Sequence, residues 1–140
     1  MEKNSKTLKN SNKLILLGED DIDDKEFLEE VFLSIDSSYQ LQSISNGKNF
    51  IIHLDKLDDN DLPCLIILDY NLPQLNGAEI LKILDATGRY KAIPKVVWST
   101  SNSSVFRAKC LELGALDYIV KPSNIASLKQ VAKHIISFCN

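Results

Sequence analysis

The sequence has little of what a disulfide framework or a thiolate metal site requires. Its cysteines number only three, Cys64, Cys110 and Cys139, and they lack the spacing of metal ligands. Because all three stand among apolar residues, we expect reduced thiols in the core of a protein from a reducing compartment.

Long apolar runs and an excess of basic residues are also missing. No apolar stretch approaches membrane-spanning length, and the polar start of the chain has no signal-peptide core. The formal net charge of −3 argues weakly against a nucleic acid or an anionic membrane as the main partner. We therefore expect a flexible leader over residues 1–12 and one cytoplasmic domain over residues 13–140.

The chain does contain a regular alternation of strand and helix patterns. Short apolar runs, typical of strands buried on both faces, start at Leu14, Leu65 and Lys95, and a fifth short strand starts at Asp117. The alternating stretch from residue 39 to 44 predicts an edge strand. Each run is followed by apolar residues at helical spacing. Five strand–helix repeats predict an α/β doubly wound parallel sheet with helices on both faces.

Four of the predicted strands end on a charged or reactive side chain. These are Glu19 and Asp20 after the first strand, Asp69 at the end of the third, Ser99 at the end of the fourth and Lys121 after the fifth. In a parallel sheet such ends lie along one edge, where ligands bind. Clustered carboxylates repel one another unless a cation lies between them, and their oxygens suit Mg²⁺. A carboxylate can attack phosphorus, and a lysine neutralises phosphoryl oxygens, so the set predicts phosphate chemistry.

Each residue alone has an ordinary explanation. Asp69 is a common type of turn residue, Ser99 a usual residue at a strand end, and Lys121 a usual solvated lysine, although Pro122 after it hints at a fixed, even cis, bond. These separate explanations account poorly for the occurrence of all three residues at the strand ends of one sheet.

The motifs carry a resemblance to a known family. The stretches are Leu-Leu-Gly-Glu-Asp-Asp, Ile-Leu-Asp-Tyr-Asn-Leu-Pro-Gln-Leu-Asn-Gly, Val-Val-Trp-Ser-Thr-Ser and Asp-Tyr-Ile-Val-Lys-Pro. From Lys13 onwards the chain resembles the receiver domain of two-component response regulators, and Ser99 and Lys121 follow Asp69 at the spacing that this family has. The resemblance implies a flavodoxin-like (βα)5 fold with strand order 2-1-3-4-5, for which a member of this family is a standard example.

The resemblance also implies a metal and an acceptor. Asp69 would accept the phosphoryl group from a sensor histidine kinase or a histidine phosphotransfer protein. Asp20, Asp69 and the backbone carbonyl of Asn71 would bind Mg²⁺, with Glu19 acting through a water molecule.

The remaining implied roles concern the switch. Lys121 would pair with the phosphoryl group, Ser99 would move to hydrogen-bond it, and Tyr118 would then change its rotamer.

The protein would be a stand-alone bacterial signalling domain, without nucleic-acid or membrane partners. Its output would leave by the surface of the fourth helix, fifth strand and fifth helix, where the partner would be another protein or a second copy of the chain in a homodimer.

The sequence departs modestly from the family pattern. Gly18 stands where a β-branched residue is usual, Glu19 replaces Asp, Ser99 replaces Thr, and Thr100 stands where a small residue is usual. A bulkier residue at position 100 would slow access to Asp69. The loop over residues 55–63 is longer than in the smallest receivers, which is similar to the stand-alone receivers that serve bacterial phytochromes.

Two other functions compete with phosphoacceptor signalling. A haloacid-dehalogenase-like phosphohydrolase also uses an Asp nucleophile with Mg²⁺, but it needs a second acid two residues later, where this chain has Asn71. A degenerate receiver would bind partners without phosphorylation. The complete set of site residues disfavours that hypothesis, and Thr100 keeps it open.

Overall fold

The computed structural model describes residues 13–139, which form five strands and five helices in strict alternation. The predicted leader over residues 1–12 lies outside the described residues, as does Asn140. In chain order the elements are β1 (Leu14–Gly18), α1 (Ile22–Ile35), β2 (Gln40–Ile44), α2 (Gly47–Asp55), β3 (Leu65–Asp69), α3 (Gly77–Asp85), β4 (Lys95–Ser99), α4 (Ser104–Glu112), β5 (Asp117–Val120) and α5 (Ile125–Ile136).

The strands form one parallel sheet in the order β2-β1-β3-β4-β5. The predicted flavodoxin-like fold is therefore confirmed, and β2 is the edge strand that its alternating pattern indicates. In the register, Gly18 lies beside Leu68, and Asp69 beside Trp98. The ends of β1, β3 and β4 are thus level, which brings the residues at or after each end to one edge.

Helices cover both faces of the sheet. Successive residues of β3 point to opposite sides: Ile67 packs in the core beneath α1 and α5, and Leu68 packs in the core beneath α2, α3 and α4. All five residues of β3 are buried. A central strand covered on both faces explains why this stretch is continuously apolar until Asp69.

Side-chain caps begin the helices soon after the strands end. The side chains of Asp21, Asn46, Asn76, Ser103 and Asn124 each accept a hydrogen bond from the backbone N–H three residues later. Asp21 caps α1, and the acids Asp23 and Asp24 follow in its first turn. These caps start the helices close to the carboxyl edge of the sheet.

The expectation of three reduced core thiols is wrong for two of them. Cys64, just before β3, and Cys139, after α5, form a disulfide with a Cα–Cα distance of 5.0 Å. They are 75 residues apart in sequence, so no local pattern reveals the pair, which the packing of α5 beside the sheet brings together. Cys110 is a buried free thiol as expected, and burial raises its pKa to about 11.

Candidate functional site

Three carboxylates meet at the carboxyl edge of the sheet. Glu19 and Asp20 follow β1, Asp69 ends β3, and one oxygen of each lies within 4.8 Å of the others. Glu19 is held by a backbone hydrogen bond of 3.1 Å from its N–H to the Ile44 carbonyl, which extends the ladder between β1 and β2. Asp20 is exposed, whereas Glu19 and Asp69 are buried. The sequence correctly predicts that these acids come together.

Asp69 has one carboxylate oxygen tied to the backbone and one directed to a cation. The Asn71 N–H lies 3.2 Å from Oδ1 and donates a hydrogen bond to it, while Oδ2 lies 3.7 Å from Lys121 Nζ. The loop after β3 folds back at Gly77, whose N–H donates to the Tyr70 carbonyl at 2.9 Å. A Cβ at Gly77 would lie 3.1 Å from the Tyr70 Cα, so this close approach favours glycine.

Lys121 is the cation of this site. Its Nζ donates to Glu19 Oε1 at 3.0 Å and to Asp24 Oδ2 at 2.9 Å, and its side chain is 9% exposed. Burial lowers the pKa of Lys121, but the hydrogen bond to Asp24 and the charges of Asp69 and Glu19 outweigh burial, and the net pKa is raised. No peptide bond among residues 13–139 is cis, so the hint of a cis bond before Pro122 is wrong.

Glu19 carries the strongest electrostatic perturbation at this edge. Burial and, after it, the neighbouring Asp69 raise the pKa of Glu19, Lys121 opposes both effects, and the net pKa is about 7. The side chain is 3% exposed and also accepts a weak 3.2 Å hydrogen bond from the Asp21 N–H. A single lysine therefore does not compensate the negative charge that the fold concentrates here.

The predicted switch residues lie on the two neighbouring strands. Ser99 at the end of β4 is fully buried, and its Oγ accepts a hydrogen bond of 3.1 Å from the Ser101 N–H. Tyr118 on β5 is 1% exposed, and its hydroxyl donates to the Ser101 carbonyl at 2.8 Å. Arg107 of α4 stacks over the Tyr118 ring at 5.3 Å. The Tyr118 ring is buried in this structure, and its role as a switch stays a prediction.

A match to a known family accompanies this geometry. The model of the response regulator receiver domain matches residues 15–133. The chain belongs to this family. The rice two-component response regulator ORR3 (Oryza sativa subsp. indica) is 30% identical over 132 residues, which cover 94% of this chain and 97% of that protein.

Solved receivers share the whole fold. The phosphorylated cyanobacterial phytochrome response regulator RcpA superposes with a TM-score of 0.82 at 29% identity, covering 91% of this chain and 93% of that one. The Mn²⁺-bound form of response regulator Rcp1 gives 0.80 at 30% identity, covering 90% and 93%. This protein is therefore a two-component response regulator receiver with the fold of phytochrome response regulators, and the sequence-based family assignment is confirmed.

The donor chemistry of the receiver's acidic cluster fits a divalent metal ion. All three side chains of the cluster, Glu19, Asp20 and Asp69, offer hard carboxylate oxygens, and the exposed Asp20 leaves one side open to water. The buried carboxylates are short of positive charge, as the raised pKa of Glu19 shows. A cation between the three would relieve that repulsion.

Two departures from the family pattern have a structural explanation. A Cβ at Gly18 would lie 2.6 Å from Leu72 Cδ1, so the Leu72 side chain occupies the space of a β-branched residue. Thr100 is exposed rather than packed over the acidic cluster. The loop over residues 55–63 contains a short 3₁₀ turn at Asp59–Asp61.

Sequence reasoning missed two neighbours of Lys121. Asp24 of α1 makes the shorter of its two hydrogen bonds, although Asp24 belongs to none of the motifs that the sequence reveals. Trp98, the only tryptophan in the chain, lies under Nζ with its ring centroid at 4.7 Å. Asp24 lies in the first turn of α1, which begins close after the end of β1, and this position is the signal that could have indicated it.

None of the helices formed by residues 13–139 is long and apolar enough to cross a membrane.

Proposed function

We propose that Asp69 accepts a phosphoryl group from the phosphohistidine of a sensor histidine kinase or of a histidine phosphotransfer protein. A carboxylate oxygen of Asp69 would attack phosphorus as the bond from phosphorus to the histidine nitrogen breaks. The observation that carries this proposal is the placement of Asp69 Oδ2, 3.7 Å from the Lys121 ammonium, within a cluster of three carboxylates. Lys121 would neutralise the charge on the transferred group, and Ser99 would hydrogen-bond it.

We propose Mg²⁺ as the metal of this site. Asp20 and Asp69 would bind it directly, together with the backbone carbonyl of Asn71, and Glu19 would act through a water molecule. Bound there, the ion would supply positive charge for the phosphoryl oxygens. The hard oxygen donors and the open, exposed Asp20 support an ion that keeps most of its water, as Mg²⁺ does. The Mn²⁺-bound form of Rcp1 is a relative at 30% identity.

Signalling without catalytic turnover completes this proposal. The position two residues after Asp69 is Asn71, which has no acid group for a hydrolase-like second step. Its N–H instead donates to Asp69 Oδ1. A phosphoryl group would therefore stay on Asp69 until water attacks it, as a signal requires.

We propose a bacterial, cytoplasmic setting. The similarity to phytochrome response regulators supports bacteria, whereas ORR3 is a rice protein. The Cys64–Cys139 disulfide weighs against the cytoplasm, where thiols are usually kept reduced. Mass spectrometry of thiol-alkylated protein from intact cells would decide, because alkylation of both cysteines indicates a reducing compartment.

The proposed output surface consists of α4, β5 and α5. Val105 is 73% exposed and Leu116, just before β5, is 57% exposed, so apolar side chains are available for contact. Arg107 stands over the ring of Tyr118 on the same side. Mixed charge beside apolar and aromatic groups suits a second copy of this chain or another protein. We propose that phosphorylation strengthens a homodimer through this surface.

The acceptor is tested by intact-mass spectrometry after incubation with acetyl phosphate and Mg²⁺. We expect one phosphoryl adduct on the wild type and on the control Asp61→Asn, an exposed Asp away from the acidic cluster. Asp69→Asn should take up none. An adduct on folded Asp69→Asn would contradict the assignment, and steady release of phosphate would favour a hydrolase.

The output surface is tested by sedimentation velocity with and without beryllofluoride. The wild type should self-associate when beryllofluoride is present, and Val105→Asp should reduce that association because it places a charge in the contact. Ile52→Asp is the control, since Ile52 is 50% exposed on α2, outside the output surface. Unchanged sedimentation of the wild type would leave the homodimer unsupported.

A further inference from the structure

Lys121 donates hydrogen bonds to two carboxylates and lies farther from a third. Its Nζ donates to Asp24 Oδ2 at 2.9 Å and to Glu19 Oε1 at 3.0 Å, and it lies 3.7 Å from Asp69 Oδ2. A lysine ammonium has three N–H donors. Two of them are used by Asp24 and Glu19, so the third is left for the side on which Asp69 lies.

The two holding carboxylates are not equivalent. Glu19 belongs to the acidic cluster with Asp20 and Asp69, so a metal ion bound there competes with Lys121 for it. Asp24 stands on the first turn of α1, outside that cluster, with its side chain 33% exposed. Asp24 is therefore the partner that keeps hold of Lys121 when the acidic cluster binds a cation.

We propose that Asp24 is a positioning residue for phosphorylation, which holds the Lys121 ammonium ready beside Asp69. This inference rests on the proposed acceptor role of Asp69. The physical reason is preorganisation: a lysine has a flexible four-carbon stem, and an ammonium already fixed in place needs no further ordering when the phosphoryl group arrives. A phosphoryl oxygen extending from Asp69 would then enter the remaining gap to Nζ.

The chain contains its own reporter of the Lys121 position. Trp98 is the only tryptophan, it is fully buried, and Lys121 Nζ lies 4.7 Å from its ring centroid. Its Nε1 has no hydrogen-bond partner among residues 13–139, so the nearby ammonium is a main polar influence on the ring. Displacement of Lys121 should therefore shift the emission of Trp98.

The experiment compares Asp24→Ala with Asp23→Ala. Asp23 is the exposed neighbour in the same first turn of α1, so both variants lose one acid at the same helix N-terminus. Binding of beryllofluoride, an analogue of the phosphoryl group, is measured at a Mg²⁺ concentration that saturates each variant. We expect about tenfold weaker binding for Asp24→Ala alone, the effect of losing one charge-assisted hydrogen bond. Asp24→Glu should recover most of the affinity.

The emission of Trp98 is recorded on the same variants before any ion is added. Asp24→Ala should shift it, and Asp23→Ala should match the wild type. Equal behaviour of the two alanine variants in both emission and beryllofluoride affinity would overturn the role of Asp24. If the wild type itself bound no beryllofluoride, the proposed acceptor function would fail, and the emission comparison would still decide whether Asp24 positions Lys121.

Discussion

Glu19 should make the stability of the metal-free receiver depend on pH in an unusual direction. Its pKa rises from 4.5 to about 7 in the folded protein, mainly because the carboxyl is buried and secondarily because Asp69 is close. Between these two values the folded chain holds a proton that the unfolded chain has released. The free energy of unfolding therefore falls as the pH rises through this window.

The size of the effect follows from the shift. One pKa unit corresponds to about 1.4 kcal/mol, so the shift of Glu19 amounts to a loss on the order of 3 kcal/mol by the time the pH exceeds 7. Since Glu19 is 3% exposed, solvent screens this term little. Glu19→Gln keeps an acceptor for Lys121 and never ionises, so it should lack this loss.

Urea unfolding in a chelator, followed by Trp98 emission from about pH 4 to about pH 8, measures this dependence. The wild type and the control Glu30→Gln, an exposed acid of α1, should lose stability over the window relative to Glu19→Gln. Parallel curves for wild type and Glu19→Gln would refute the reasoning. Mg²⁺ should make the loss smaller, because a bound cation favours the ionised carboxyl and so lowers the pKa of Glu19 in the folded protein.

Three further predictions concern the metal and the fold. Asp20→Ala should abolish Mg²⁺ binding, measured by calorimetry, and should raise the melting temperature of the metal-free protein, since it relieves repulsion. Gly47→Ala should lower the free energy of unfolding by about 1–3 kcal/mol in urea titrations, because its Cβ would lie 2.2 Å from the Leu75 carbonyl oxygen. Cys64→Ser should lower the free energy of unfolding by about 2–4 kcal/mol relative to the oxidised wild type, because the bond to Cys139 closes a long loop. The variant should be as stable as the reduced wild type, which lacks the same bond.

The sequence predicts the architecture well because the sheet imposes a simple pattern. A central strand such as β3 is covered on both faces, so it is apolar throughout and ends visibly at Asp69. The same rule places Glu19 and Lys121 at the ends of other strands. Their meeting follows from the topology alone, since parallel strands end at one edge.

The contacts of Lys121 and the pairing of Cys64 with Cys139 could not be predicted in this way. Both depend on how helices lie against the sheet, which the apolar pattern does not specify to within a hydrogen-bond length. Asp24 lies in the first turn of α1, and whether its carboxylate reaches Lys121 depends on the position of that helix. Cys139 follows α5 and meets Cys64 only through the packing of α5.

The charges around Asp69 link the metal to the phosphoryl group. Glu19, Asp24 and Asp69 share one ammonium, with the further acid Asp20 in the cluster, so a cation is favoured there and an added anion is not. A phosphoryl group on Asp69 needs the positive charge of both a metal ion and Lys121. Each ligand must then raise the affinity for the other by the same factor, because coupling between two binding equilibria is reciprocal. Mg²⁺ should accordingly bind more tightly when beryllofluoride is present, and this gain should shrink when Lys121 is replaced by alanine.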